Sequence, residues 1–201
     1  MKPCEFPARR SREFADIRKN KERDSSARTH VMIEIRNETS DDISAIREVN
    51  ERAFGGAAEA RLVDMLRAAN KALISLVALQ EGHVVGHILF SPITVAHAPE
   101  DFRGVGLAPM SVLPELQNKG IGSALVRDGL EACKRSGYDA VVVLGHPKFY
   151  PRFGFTQAKH HGLDNEYDAV DAFMVTELRA GTLQTIRGLV KYAPEFRDSG
   201  C

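Results

Sequence analysis

A chain of 201 residues, 43% of them hydrophobic, has enough apolar material for one sizeable core and suits one domain plus a tail. Twenty-seven basic and twenty-seven acidic residues balance to zero formal charge, no stretch is long and apolar enough for a membrane span, and Cys4, Cys133 and Cys201 are odd in number and far apart. The composition gives no membrane-spanning helix, and neither a disulfide framework nor a clustered zinc site follows from the cysteines. The charge is uneven, however: residues 1–31 carry nine Lys or Arg against five Asp or Glu, whereas residues 32–201 carry eighteen against twenty-two. The body lacks the electrostatic footprint of a nucleic-acid binder, so a nucleic-acid role rests on the basic extension alone. That extension is polar with few large apolar residues and reads as flexible, with Met32 as the start of the folded part. A helix packing Phe14 and Ile17 on the body is the alternative. No apolar signal-peptide core is present near the N-terminus, which points to the cytoplasm.

In chain order, Val31 to Arg36 alternates apolar and polar residues and predicts a first strand. A turn follows over 37–40, with Ser40 as the cap of a helix beginning at Asp41 and Asp42. Ile43, Ile46, Val49 and Phe54 share one face of that helix, and Gly55-Gly56 ends it. A second helix runs from Ala58 to Ala69 with Leu62, Val63 and Leu66 inward. Leu73 to Gln80 and His83 to Phe90 form a hairpin about Glu81-Gly82. The second of these strands continues through Ile93 to Ala96 past a bend at Ser91-Pro92.

After a polar loop over 97–104, Gly106 to Val112 is a strand. Ile121 to Ser136 is a helix that turns Ile121, Leu125 and either Ala132 or Cys133 to the sheet, and Gly137 is its C-cap. Cys133 reads as a buried thiol. Asp139 to Leu144 is a short apolar strand, as a central buried position requires. A short helix starts at Pro147 to Tyr150, a strand or turn lies at Phe153 to Thr156, and Phe173 to Leu178 is the last clear strand. Beyond Gly181, the residues Ile186, Leu189, Val190, Tyr192 and Phe196 suit a short helix and arm. This order predicts a mixed α/β (α+β) fold with a central twisted mixed sheet flanked by helices. Its parts are the extension 1–31, the domain 32–180 and the arm 181–201.

The run from Leu113 to Leu125 carries the most chemistry. Gly120 and Gly122 let the backbone turn and approach a ligand. The first amides of the new helix have no intrahelical acceptors and sit at its positive dipole end, where a phosphate or pyrophosphate binds. This turn is not a dinucleotide fingerprint, because Gly129 is too distant to be its third glycine, and it is not a P-loop, because Lys119 precedes both glycines.

Three features together carry a family resemblance: Gln117-x-x-Gly120-x-Gly122 after a strand, the strand Ala140 to Leu144 followed by Gly145-His146-Pro147, and Phe149-Tyr150-Pro151-Arg152-Phe153-Gly154-Phe155. In this order and spacing they resemble the GNAT superfamily of N-acetyltransferases, in particular its bacterial YhbS-type subgroup, over residues 32–180. The resemblance implies the GNAT-like acyl-coenzyme A N-acyltransferase fold, with acetyl-coenzyme A as acyl donor. It also implies that its pyrophosphate meets Gln117, Asn118, Lys119, Gly120, Ile121, Gly122 and Ser123. The pantetheine arm would run along Ala108 to Val112, which splays from Ala140 to Leu144, and an amide near Val112 would polarise the thioester.

Tyr150, four residues before Gly154, takes the place of the superfamily's tyrosine general acid, which protonates the leaving thiolate. The alternative is that it only packs with Phe149, Phe153 and Phe155. For the base, Glu59 comes first and Glu51 second, both otherwise ordinary surface carboxylates. His146 binds substrate, relays a proton or caps its turn. His87 either faces the cleft or is a hydrogen-bonded structural histidine. Phe90 and Ser91 are expected on the acceptor side, with Phe54 and Leu62 as an apolar wall. Glu115 reads as solvated, and Arg152 either meets a phosphate or is solvated. His160-His161 has no partner at metal-binding spacing, so no metal is expected.

The implied reaction is acetylation of a primary amine, with a small molecule as the leading acceptor. A protein lysine or N-terminal amine is the alternative acceptor, and a non-catalytic acyl-coenzyme A sensor is the non-enzymatic one. Both a monomer and a homodimer are compatible with the sequence.

Overall fold

The computed structural model describes residues 32–199. Expectations for the basic extension, for Phe14 and Ile17, and for Cys4 and Cys201 lie outside those residues. The first strand, β1 (Ile33–Asn37), is followed by α1 (Ile43–Phe54) and α2 (Ala58–Ala68), then by β2 (Ile74–Gln80), β3 (His83–Pro92) and β4 (Thr94–His97). Next come β5 (Gly104–Val112), α3 (Ile121–Arg135), β6 (Ala140–Leu144), β7 (Thr156–Gln157), β8 (Leu163–Asn165) and β9 (Phe173–Glu177). The chain ends with α4 (Thr182–Thr185), β10 (Arg187–Lys191) and α5 (Glu195–Asp198). Among the described residues no helix is long and apolar enough to cross a membrane.

Seven strands form one mixed sheet in the order β1-β2-β3-β5-β6-β9-β7, in which β5 and β6 run parallel and the other neighbours antiparallel. Each face buries its own core. Leu62, Val63 and Leu66 of α2 and Ile46 of α1 cover Val77, Leu79, Leu89 and Val142. On the opposite face Ile121, Leu125, Val126 and Cys133 of α3 cover Ile88, Phe90, Leu107 and Val143. The alternation of strand side chains between faces divides the residues this way. The contact of α3 with the sheet is close at Gly129, where an added Cβ would lie 2.5 Å from the Phe90 ring. Cys133 is fully buried, and burial pushes its thiol up to about 12.

Four expectations change. The helix cap is Thr39, one residue before Ser40: its amide donates to Asp42 Oδ2 at 2.7 Å, opening a short 3-10 turn over Ser40–Asp42. Asp42 fills this role because Arg36 grips both of its carboxylate oxygens, at 2.6 and 2.9 Å. Phe54 leaves the inward face of α1 and is exposed at the turn where Gly55 adopts φ +76°. The stretch Ile93 to Ala96 does not prolong β3, because β4 breaks away at Ile93 into a second sheet of order β4-β10-β8. Finally, the segment beyond Gly181 carries a strand as well as two short helices. β10 pairs antiparallel with β4 and parallel with β8, and local periodicity cannot show either partner.

Candidate active site

Strands β5 and β6 pair from Gly104↔Ala140 to Leu107↔Val143, and there the ladder ends. Beyond it β5 continues to Val112 along β3, after a register shift between the pairs at Ile88 and Phe90. β6 continues through Leu144 along β9. The two strands thus leave a slot between them. Its wall at Leu144 is 41% exposed, although Val141, Val142 and Val143 are no more than 1% exposed.

Strand alternation shows which backbone groups face the slot. Leu113 donates its amide to Val85 on β3 at 3.0 Å, so Val112 and Met110 turn theirs the other way, into the slot. Gly145 donates to Ala172 at 3.0 Å, so Leu144 turns its amide and carbonyl toward β5, where the amide closes the ladder against Leu107 and the carbonyl faces the slot. An extended polar chain entering here finds amide donors on β5 and a carbonyl acceptor on β6.

The mouth of the slot meets the start of α3. Asn118 (φ +61°) and Gly120 (φ +90°) take left-handed conformations that turn the chain sharply. The first helical bond runs from the Ala124 amide to the Gly120 carbonyl at 3.0 Å, which leaves the amides of Ile121, Gly122 and Ser123 without helical acceptors. A Cβ at Gly120 would meet nothing within 4 Å, so glycine is required there by its φ angle alone. At Gly122 the need is space, because a Cβ would lie 3.3 Å from Met110 Sδ and 3.8 Å from Phe149. Lys119 adds a cation to the turn. Gln117 points back to the strand rather than outward, its Nε2 donating to the Val112 carbonyl at 3.1 Å. This geometry can hold an anion at the loop and an extended arm below it.

Tyr150 opens a 3-10 turn over Tyr150–Phe153 on the α3 face of the sheet. Its ring lies against Gly145, where any Cβ would collide with it, and is edge-on to Phe149 and Phe155 at centroid distances of 5.0 and 5.5 Å. Burial pushes the phenol well above its ordinary pKa, so it holds its proton at neutral pH. His146 is exposed, and its carbonyl accepts from the Phe149 and Tyr150 amides, which shapes the turn. The Arg152 guanidinium stacks 4.5 Å from the Phe149 centroid, and its Nε donates to the Phe149 carbonyl.

The remaining candidates are dispersed. Glu59 lies half-buried in the first turn of α2 and makes no ion pair among the described residues. Glu51 pairs with Arg47 at 3.2 Å, and Glu115 with Arg52 at 2.9 Å, so Glu115 is not merely solvated. Phe90 sits beneath α3 in the core and Ser91 is fully buried, so neither forms an acceptor-side surface; Leu62 is also core. His161 meets Thr156 Oγ1 at 2.8 Å, and among the described residues no group of three His, Cys, Asp or Glu side chains is placed to hold a metal.

His87 is a fully buried structural residue, not a cleft residue. Its Nδ1 lies 3.2 Å from Asn50 Nδ2 and its Nε2 2.9 Å from Ser75 Oγ, which in turn donates to Glu38 at 2.5 Å. Burial pulls the imidazole down to about 4. Burial also opposes charge on Glu38, but hydrogen bonds from Arg67 (two at 3.0 Å) and Ser75 prevail and hold its carboxyl below the usual range. Sequence reasoning singled out His87 but not Glu38, Asn50, Ser75 or Arg67, which are spread over three elements and a turn and carry no shared local pattern.

Residues 34–158 match the family described as Acetyltransferase (GNAT) domain. The chain is 39% identical over 164 residues to the uncharacterized N-acetyltransferase YhbS of Escherichia coli strain K12, covering 81% of this chain and 97% of that relative. Among solved structures, YhbS from Escherichia coli in complex with CoA superposes with a TM-score of 0.79 at 37% identity, over 83% of this chain and 93% of that one. A GNAT family acetyltransferase from Brucella melitensis in complex with acetyl-CoA gives a TM-score of 0.69 at 35% identity, over 83% and 99% of the two chains.

Proposed function

The chain belongs to the GNAT acetyltransferase family, and from that premise we propose that it moves the acetyl group of acetyl-coenzyme A directly to a primary amine of a small molecule, with Tyr150 as general acid. The observation that carries this reading is the slot between β5 and β6, lined by unpaired backbone groups, with the anion-binding turn at its mouth and a protonated phenol beside Gly145 at the end of β6. Two relatives of similar fold were crystallised with CoA and acetyl-CoA, which supports the donor.

In this reading the amides of residues 118–123 hold the pyrophosphate, with Lys119 adding charge, and Gln117 fixes the end of β5 against the loop. Val112 offers its amide to the arm near the mouth, and Met110, deeper in the slot, offers its amide to the thioester carbonyl, where negative charge grows as the amine attacks. The carbon–nitrogen bond forms, the carbon–sulfur bond breaks, and the Tyr150 proton goes to the leaving sulfur. The surplus amine proton leaves by a separate path, for which Glu59, at the start of α2, is the first carboxylate to test. His146, exposed at the end of β6, is assigned to substrate contact.

The test is calorimetry with acetyl-coenzyme A, desulfo-coenzyme A and NAD, followed by free-thiol release against a panel of small amines. Saturable binding of the coenzyme A ligands but not NAD, with amine-dependent thiol release, is expected. Well-folded protein that binds neither coenzyme A ligand would overturn the reading. Binding without thiol release for any amine, including a lysine peptide, would favour a sensor.

A further inference from the structure

One more hydroxyl reaches the slot, and it comes from the far end of the chain. Tyr192 follows β10, and its ring lies over Gly106 of β5 on the α1–α2 face, where a Cβ at 106 would sit 2.5 Å from Tyr192 Cε1. The rings of Phe196 and Tyr167 back it at 4.9 and 6.0 Å. The residue is 7% exposed, and its hydroxyl oxygen is buried with no hydrogen-bond partner among the described residues. Burial raises the phenol far above its ordinary pKa, the phenols of Tyr167 and Tyr150 raise it further, and the Leu144 backbone acts the other way. The oxygen therefore lies near the Leu144 backbone on the α1–α2 face, and Tyr150 belongs to the opposite face of the sheet.

A buried hydroxyl without a partner is a standing loss of stability, since it gave up water for nothing in return. It is retained here at the closed end of the slot. From Leu107, where the β5–β6 ladder stops, to Val112 at the mouth is five residues of extended chain, about 17 Å. That is the reach of an extended phosphopantetheine arm anchored at residues 118–123. Its reactive end then falls beside Leu144, Tyr150 and Tyr192.

We propose that the Tyr192 hydroxyl donates a hydrogen bond to the carbonyl oxygen of the bound acetyl thioester, from the α1–α2 face. This rests on the acetyl-coenzyme A reading above. The carbonyl then takes one bond from a slot-facing amide of β5 and one from Tyr192, while Tyr150 faces the sulfur from the α3 side. The glycine at 106 is part of the same device, because any side chain there would displace the ring.

The experiment compares the wild-type chain with Tyr192→Phe by calorimetry, using acetyl-coenzyme A and free coenzyme A, with thermal unfolding of both proteins alongside. The variant is expected to bind acetyl-coenzyme A about fivefold more weakly, to bind free coenzyme A unchanged, and to unfold at the same or a higher temperature because it loses only an unpartnered oxygen. An unchanged ratio of the two affinities in the variant would overturn the inference while leaving the donor assignment standing. Failure of the wild-type protein to bind either ligand would remove the donor assignment itself, and this inference with it.

Discussion

Gln117 reaches back five residues and donates from Nε2 to the Val112 carbonyl at 3.1 Å, tying the glycine turn before α3 to the strand whose amides line the slot. The contact joins only turn and strand, so its value lies in fixing the two relative to each other. Gln117→Ala removes one neutral hydrogen bond of about 1 kcal/mol. Acetyl-coenzyme A binding measured by calorimetry is expected to weaken about fivefold, with the unfolding midpoint nearly unchanged. Wild-type affinity in this variant would show that turn and strand hold their places without it.

Tyr150→Phe removes the proton and keeps the ring that packs on Gly145, Phe149 and Phe155. Turnover is expected to fall at least about tenfold, the lower range for loss of a general acid, while coenzyme A affinity stays within about twofold. Because burial raises the phenol, the alkaline limb of wild-type activity, where the acid would lose its proton, should not begin at or just above neutral pH. Equal turnover in the variant assigns Tyr150 to packing alone.

At Gly120 the backbone sits at φ +90° with open space around it, so the penalty for a side chain is conformational rather than steric. Gly120→Ala should lose about 1–2 kcal/mol in urea unfolding and weaken acetyl-coenzyme A binding as the turn relaxes. Gly122→Val fails for a different reason, pressing on Met110 and Phe149. If Gly120→Ala retains full stability, the left-handed geometry of the turn is wrong.

The buried imidazole of His87 makes stability depend on pH. Its folded pKa of about 4 lies below the ordinary 6.5, so the unfolded chain binds a proton more readily than the folded one between these values. The contribution is complete above about pH 6.5 and is lost as pH falls towards 4, by at most about 3 kcal/mol. Urea unfolding from pH 7.5 to 4.5 should show this decline. His87→Gln, which does not titrate, should flatten it even if it starts from a lower stability. An equally steep decline in that variant would place the pH dependence elsewhere.

Much of the candidate site's local geometry was legible along the chain because its requirements are local. Two glycines before a helical pattern mark a sharp turn into a helix wherever the chain goes next, and a tyrosine beside Pro151 and ahead of Gly154 marks the buried 3-10 turn. Alternation and helical periodicity placed α1, α2, α3 and the strands of the main sheet to within a few residues. The misplaced pieces depended on distant partners. Ser40 lost its role to Thr39 because Arg36 holds Asp42, and Phe90, expected at the acceptor side, lies under Gly129 of α3.

By itself, then, the sequence determined the mixed α/β class and the turn at Gln117 to Ser123, since spacing and backbone freedom are properties of short segments, and the resemblance its motifs carry made Tyr150 a candidate. Only the tertiary structure decided that β10 leaves the C-terminal arm to join β4 and β8, that His87 is sealed between Asn50 and Ser75, and that Tyr192 lies over Gly106 beside the slot. Each of those depends on which segments pack together across long stretches of chain, and burial and pairing at that range leave no period in the sequence.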